Sequence, residues 1–227
     1  MKKLEISKKD LEHNLNEIKN VINDRNVKII AVVKANGVGL DLIKYSKFLI
    51  QNGIKYLAVA CTNEAIKLRQ SGIKEEILMM SPISNKTELK ELVENDIIVT
   101  IDSYEQIETI EEISDELGKN ANAHIKIDTG FGRYGFLYTE KEIILETLKR
   151  ANKVKICGIF THFSSPRDEK YTRLQFNRFL DIIKFLEKNN YYIETKHCSE
   201  STAFLKYPDM MLDAVRLRFC NSRKNIV

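Results

Sequence analysis

An alternation constrains this chain more than anything else in it. Eight short apolar runs, many of them β-branched, take turns with segments whose apolar residues recur at helical spacing. The runs are residues 28–33, 56–60, 76–80, 97–101, 123–128, 154–162, 195–198 and 214–217. Each is short and most are bounded by Gly, Pro, Asn or Ser, the pattern of a buried parallel strand. Helices are expected from Lys8 to about Val21, then over 42–51, 63–70, 86–94, 103–117, 140–151, 171–188 and 201–205. Strand and helix in strict turn, joined by short connections, mean a parallel sheet wrapped by helices. Eight strands close a (β/α)8 barrel of the TIM type. The expected fold is therefore an α/β barrel, incomplete at its carboxyl end because no helix follows the last strand. No G-x-G-x-x-G follows the first strand, which argues against an open dinucleotide-binding sheet.

The chain has 227 residues, enough for one such barrel, with 30% charged and 43% hydrophobic residues. Its net charge of +4 is spread with both signs interspersed, and no basic block marks a nucleic-acid surface. The amino terminus has no apolar core like that of a signal peptide, and no run reaches membrane-spanning length. The cysteines Cys61, Cys157, Cys198 and Cys220 have no C-x-x-C spacing. The expectation is a cytoplasmic, reduced protein.

Lys34 ends the first apolar run, within IIAVVKANGVGLD. In barrels the carboxyl ends of the strands carry the chemistry. A lysine there is partly desolvated, which lowers its pKa and leaves a neutral, nucleophilic amine. Alone, it reads more readily as a lysine whose stem covers apolar surface while its head reaches water. The other strand ends bring Lys126, Asp128, His162, Ser201 and Arg216, with Arg133 in a loop holding Gly130, Gly132 and Gly135. Charges gathered on one rim of an apolar barrel need a reason. Ser199–Thr202 precede a short helix after the seventh strand, where barrels commonly bind phosphate. An imine-forming amine facing a phosphate cradle implies pyridoxal phosphate as cofactor. His162, His197 and Cys198 could suggest a metal, but His197 and Cys198 are adjacent on a strand and point to opposite faces. No H-x-H or H-E-x-x-H spacing supports zinc, so no metal is expected.

These motifs resemble the alanine racemase family of fold-type III pyridoxal-phosphate enzymes. AVVKANGVGLD is similar to that family's AVVKANAYGHG, and HIKIDTGFGRYGF to its HLKIDTGMGRLG; GIFTHFSS, HCSESTAFLKYP and DAVR follow in order. The resemblance covers about residues 4–217, read as the cofactor-binding barrel domain (1–217). It implies an amino-acid racemase that exchanges L- and D-forms by two-base proton transfer at Cα. Lys34 would carry the coenzyme as an internal aldimine and act as one base. Arg133 would bond the coenzyme's phenolic oxygen, braced by Lys126, which is carbamylated in some members. Arg216 would face the pyridine nitrogen with His162 bonded behind it, and Ser201 would hold the phosphate. The implied substrate is an amino acid, with alanine the family default and serine, ornithine or lysine left open. The implied assembly is a homodimer, with neither membrane nor nucleic acid as partner.

Three departures stand out. Val38 replaces the family's phosphate-binding tyrosine. Glu200 replaces an asparagine and puts a negative charge where a dianion should sit, which is unfavourable unless it turns away. Past Arg216 the family continues with a glycine-containing phosphate segment and a β-rich domain that carries the second base. Here residues 218–227 form a short atypical tail, RFCNSRKNIV. One encoding of that tail, shifted by a base, would read GSAILGR as the family leads one to expect; the gene sequence decides this. The chain as given is therefore expected to racemise poorly. The competing readings are a single-domain pyridoxal-phosphate homeostasis protein without racemase activity, and a fragment whose missing eighth helix leaves barrel surface bare.

Overall fold

The computed structural model describes residues 6–22 and 25–219. The strands are β1 (Lys28–Val32), β2 (Tyr56–Val59), β3 (Glu76–Met79), β4 (Val99–Ile101), β5 (Ala121–Asp128), the two-residue β6 (Phe136–Leu137), β7 (Val154–Phe160), β8 (Thr195–Glu200) and β9 (Ala214–Leu217). The helices are α1 (Lys8–Ile22), α2 (Leu42–Gln51), α3 (Thr62–Gln70), α4 (Lys86–Glu94), α5 (Tyr104–Leu117), α6 (Lys141–Arg150), α7 (Glu169–Lys188) and α8 (Ser201–Lys206). All eight expected strands form; β6 is added beside β5. Every pairing is parallel, in the order β3-β2-β1-β9-β8-β7-β5-β4. Ile98 N donates to Ile77 O and Met79 N to Ile98 O, at 2.9 and 2.8 Å, which joins the two ends of that order into a barrel.

Strand alternation sorts the side chains. Ala31 and Val33 of the first strand face the helices with Leu57, Val59, Ile77 and Met79, in one continuous core. Ile30 and Val32 face the lumen with Tyr56, Ala58, Leu78, Ile98 and Ala214. The helices start where a short polar side chain takes an orphan N–H. Asp41 accepts from Lys44, Asn85 from Glu88, Ser103 from Gln106 and Asp168 from Tyr171.

The expectation of bare barrel surface is corrected here. The helix preceding β1 takes the eighth place. Lys19 of α1 donates to Asn52 O just past α2, at 2.8 Å. Arg25 donates to Pro208 O on the approach to β9, at 3.2 Å. Leu15, Ile18 and Ile22 of α1 bury in the core that also holds Val215 and Leu217 of β9. Of the atypical tail, Arg218 and Phe219 are described, and residues 220–227, including Cys220, lie outside the described residues.

The turn after β1 is left-handed over its whole length. Ala35, Asn36, Gly37, Val38 and Gly39 have φ of 56°, 53°, 66°, 58° and 86°. Asn36 holds it in place, donating its N–H to Glu64 of α3 and accepting from Leu42 N with its side chain. A β-branched residue is the worst occupant of this conformation, and each non-glycine residue costs roughly 1–2 kcal/mol. Val38→Gly should therefore raise stability by about 1 kcal/mol after the added freedom of the unfolded chain is subtracted. Urea unfolding at neutral pH reads this directly; an unchanged or lower midpoint contradicts it.

Candidate active site

The carboxyl ends of the strands surround a cavity of about 760 Å³. Six of the seven side chains singled out from the sequence line it, Lys34, Lys126, Arg133, His162, Ser201 and Arg216, whereas Asp128 does not. Arg218 and Glu200 line it too, so five basic side chains share its wall with one carboxylate. Such a site favours an anionic ligand.

Lys34 follows β1 and opens the left-handed turn, half-buried at the cavity wall. Burial, then the Arg218 and Arg133 charges, lower its pKa. Among the described residues no hydrogen bond occupies its amine. Lys126, on β5, is buried and donates to Ile127 O at 2.7 Å and more weakly to Tyr134 O at 3.4 Å. Burial, with Arg216 and Arg133 adding to it against the opposing pull of Asp128, brings its pKa down to about 7. Gly135 must lack a side chain, because a Cβ there would stand 2.9 Å from both the Lys126 stem and the Lys126 carbonyl.

Asp128 shapes the loop that carries Arg133. Its carboxylate accepts the backbone N–H groups of Gly130, Phe131, Gly132 and Arg133 at 2.8, 2.7, 2.8 and 3.1 Å. Burial pushes this carboxyl up, but the loop's N–H donors and Lys126 outweigh it, and the net shift is downward. The Arg133 guanidinium lies over the Phe131 and Tyr134 rings, 4.5 and 4.6 Å from their centroids.

Arg216, on β9, has both terminal nitrogens engaged. Nη2 donates to Thr161 O at 2.7 Å and Cys198 O at 3.1 Å. Nη1 faces His197 Nδ1 at 2.6 Å. His162 Nδ1 lies 3.4 Å from Nη2, so the short imidazole contact behind Arg216 belongs to His197. His162 keeps this longer bond to Arg216 and also packs on Phe131, with ring centroids 5.5 Å apart. Burial and the surrounding cations push its pKa down to about 3, which keeps it neutral. Cys198, next to His197, turns the other way and donates to Met210 O. Among the described residues no group of three or more His, Cys, Asp or Glu side chains could hold a metal ion.

Ser201 begins α8, and its hydroxyl accepts from Arg218 N at 3.1 Å. Glu200 does not leave the site. Its carboxylate caps α8 by accepting Thr202 N and Ala203 N at 2.8 and 2.9 Å, which spreads its charge over the helix start. Sequence reasoning missed His197 as a partner of Arg216, and it missed Tyr134 and Arg218 on the cavity wall. For His197 the sequence offers only its opposite facing to Cys198 on the strand, which does not say which of the two points inward.

The family profile described as alanine racemase, N-terminal domain, matches residues 6–217. An alanine racemase of Methanococcus maripaludis is 37% identical over 217 residues, covering 93% of this chain and 57% of its own length. Alanine racemase 2 of Caldanaerobacter subterraneus subsp. tengcongensis is 38% identical, covering 94% of this chain and 55% of its own. The chain thus spans just over half the length of these curated relatives. The solved structure of a Clostridium difficile 630 alanine racemase in complex with cycloserine superposes with a TM-score of 0.90 at 33% identity, covering 96% of this chain and 61% of that one. A Bacillus anthracis alanine racemase with bound L-Ala-P gives 0.85 at 28% identity, covering 96% and 57%.

Proposed function

The chain belongs to the alanine racemase family through its N-terminal domain, and on that premise we propose that residues 1–217 are the pyridoxal-phosphate-binding barrel of an amino-acid racemase. One observation carries the reading: six of the seven side chains named from scattered strand ends and loops line a single cavity, whose wall holds five basic side chains and one acid.

The donor set fits the coenzyme. Lys34 offers a desolvated amine, Ser201 a hydroxyl at the phosphate end, and Arg216 a guanidinium locked in orientation by two carbonyls and a histidine. When bound, the coenzyme supplies an aldehyde that condenses with amines and a ring that draws electrons from the substrate's Cα. Lys34 would hold it and exchange a proton at Cα on one face. Arg216 would serve the ring nitrogen and leave it unprotonated, because a guanidinium keeps its own protons. Arg133 would bond the phenolic oxygen, with Lys126 bracing it. The excess positive charge accepts both the phosphate and the substrate carboxylate. Glu200 opposes the phosphate only in part, since two backbone donors already hold its charge.

Exchange through both faces of Cα needs a second acid–base group opposite Lys34. The resemblance assigns that group to the β-rich segment that follows the barrel in the family, and a homodimer to complete the site. Alanine is the substrate we assign. Cys61, Cys157 and Cys198 are free thiols, which suits a reducing, cytoplasmic setting. No helix among the described residues is long and apolar enough to cross a membrane.

Borohydride fixation of pyridoxal phosphate, followed by peptide mapping, tests this. Label is expected on Lys34 and is lost in Lys34→Ala. Label on Lys126 instead, or none at all, sinks the assignment. Label on Lys34 in a protein that never converts L-alanine when joined to its following segment would favour a coenzyme-holding role.

A further inference from the structure

Below the cavity, four buried side chains form one hydrogen-bonded line through the barrel. Arg216 Nη1 lies 2.6 Å from His197 Nδ1. His197 Nε2 lies 2.9 Å from His124 Nδ1. His124 Nε2 lies 3.0 Å from the Tyr56 hydroxyl. Phe160 stacks flat on the His197 ring at 5.0 Å, and Tyr56 meets His124 edge-on at 6.1 Å. Arg216 ends the line in the upper cavity; His124 and Tyr56 end it in a second cavity of about 330 Å³ at the barrel floor.

The wall is built to admit this line. Pairing of β5 with β7 skips a residue: Ala123 faces Ile156, but His124 faces Gly158. A Cβ on Gly158 would stand 2.3 Å from the His124 ring. The skipped residue and the glycine together let an imidazole lie across the lumen where a side chain would block it.

The direction of the line follows from what each group can do. A guanidinium has donors and no acceptor, so His197 Nδ1 must accept. A neutral imidazole that accepts on one nitrogen donates from the other, so His197 Nε2–H points to His124 Nδ1. His124 then donates from Nε2 to the Tyr56 oxygen. The reverse order would set a His197 N–H against an Arg216 N–H in a buried site, two donors with no acceptor between them. A doubly protonated ring fails in the same way. The charged groups that face the pair agree. Burial, then Arg216 and Lys28, push His124 down to about 3, and burial, Arg216 and His124 push His197 well below its ordinary value. Glu76, Glu194 and Cys157 lie nearer Tyr56, whose hydroxyl burial holds protonated.

We propose that Arg216, His197, His124 and Tyr56 form a polarised relay. Both imidazoles are neutral and protonated on Nε2. His197, His124 and Tyr56 are thereby positioning residues that fix the Arg216 guanidinium from the barrel floor. The consequence for a coenzyme rests on reading the upper cavity as its site; the proton order does not, so it is tested without coenzyme.

The test is ¹⁵N NMR of histidine-labelled, coenzyme-free protein between about pH 5.5 and 8.5, with His124 and His197 assigned through His→Gln variants. Both rings should show the Nε2–H form and no titration. An Nδ1–H signal on His197, or proton uptake by either ring in that range, overturns the proposal. Tyr56→Phe should move the signals of both rings, His197 included, although it touches His124 alone; Lys155→Ala on the same floor should move neither. If His197 stays put in Tyr56→Phe, the residues are packing neighbours and not a relay. Gly158→Ala, which forces the His124 ring aside, should disturb His197 in the same sense. A loaded protein adds a separate reading: Tyr56→Phe should shift the absorption maximum of bound pyridoxal phosphate. Moved rings with an unmoved maximum leave the relay standing and count against Arg216 as the ring's partner.

Discussion

Lys126→Met should stabilise the folded chain by about 3 kcal/mol more at pH 7 than at pH 10. An unfolded lysine keeps its proton to about pH 10.5, whereas the folded Lys126 gives it up near 7. Between those values the unfolded chain binds the extra proton, so unfolding takes one up and stability climbs with pH. The burden of this buried amine is therefore largest at and below pH 7 and almost gone above pH 10. Methionine fills the stem's place beneath Tyr134 and Phe160, whose rings lie 5.6 and 5.8 Å from the amine, and carries nothing to titrate. Its cost, the loss of the bonds to Ile127 O and Tyr134 O, is the same at both pH values and cancels in the comparison. Urea unfolding of both proteins at pH 7 and pH 10 measures it. An equal difference at the two pH values would mean that Lys126 is not desolvated as described.

Asp128→Ala should cost about 3 kcal/mol at neutral pH, because four backbone N–H groups lose a shared charged acceptor. Asparagine is a poor rescue, since its amide can accept on one oxygen and sets an NH2 against the remaining donors. The folded carboxyl titrates below its ordinary value. Its contribution is thus complete above the unfolded carboxyl pKa and is lost as pH falls through the folded one. Amide hydrogen exchange localises the effect. Residues 130–133 should lose protection in Asp128→Ala, and Arg133 should leave its place over Phe131 and Tyr134. Retained protection at those four amides would show that the loop holds itself.

Much of this architecture is written locally. The run IIAVV needs no partner to announce a buried strand, and Ser103, Asn85 and Asp41 announce the helices they cap. The rim cations were legible for a similar reason: a charge at the end of an apolar run has few places to go. What the sequence hid are relations between distant segments. Nothing around Lys8–Ile22 says that Lys19 will reach Asn52 O or that Leu15, Ile18 and Ile22 will bury in the core shared with Val215 and Leu217. The left-handed turn carries two glycines as a hint, but Ala35 and Val38 argue the other way, and Glu64, which secures it, arrives on another helix. Parity set His197 and Cys198 on opposite faces without saying which one enters the barrel or at what depth, so the meeting of His197 with Arg216 and His124 is not legible. Nothing in the strand around Gly158 tells that the His124 ring lies where its Cβ would be.

The pairing of β1 with β9 has a consequence in time. Lys28 lies beside Ala214, and Ile30 beside Arg216. During synthesis the first strand emerges long before its neighbour does, and α1 waits with it. Until then its edge is open and its apolar face uncovered, a state in which chains associate with the wrong partner. Ring closure over so long a loop is slow. Chaperones, or a quickly formed block of β1 to β3, would have to shelter that edge while the ribosome finishes the rest.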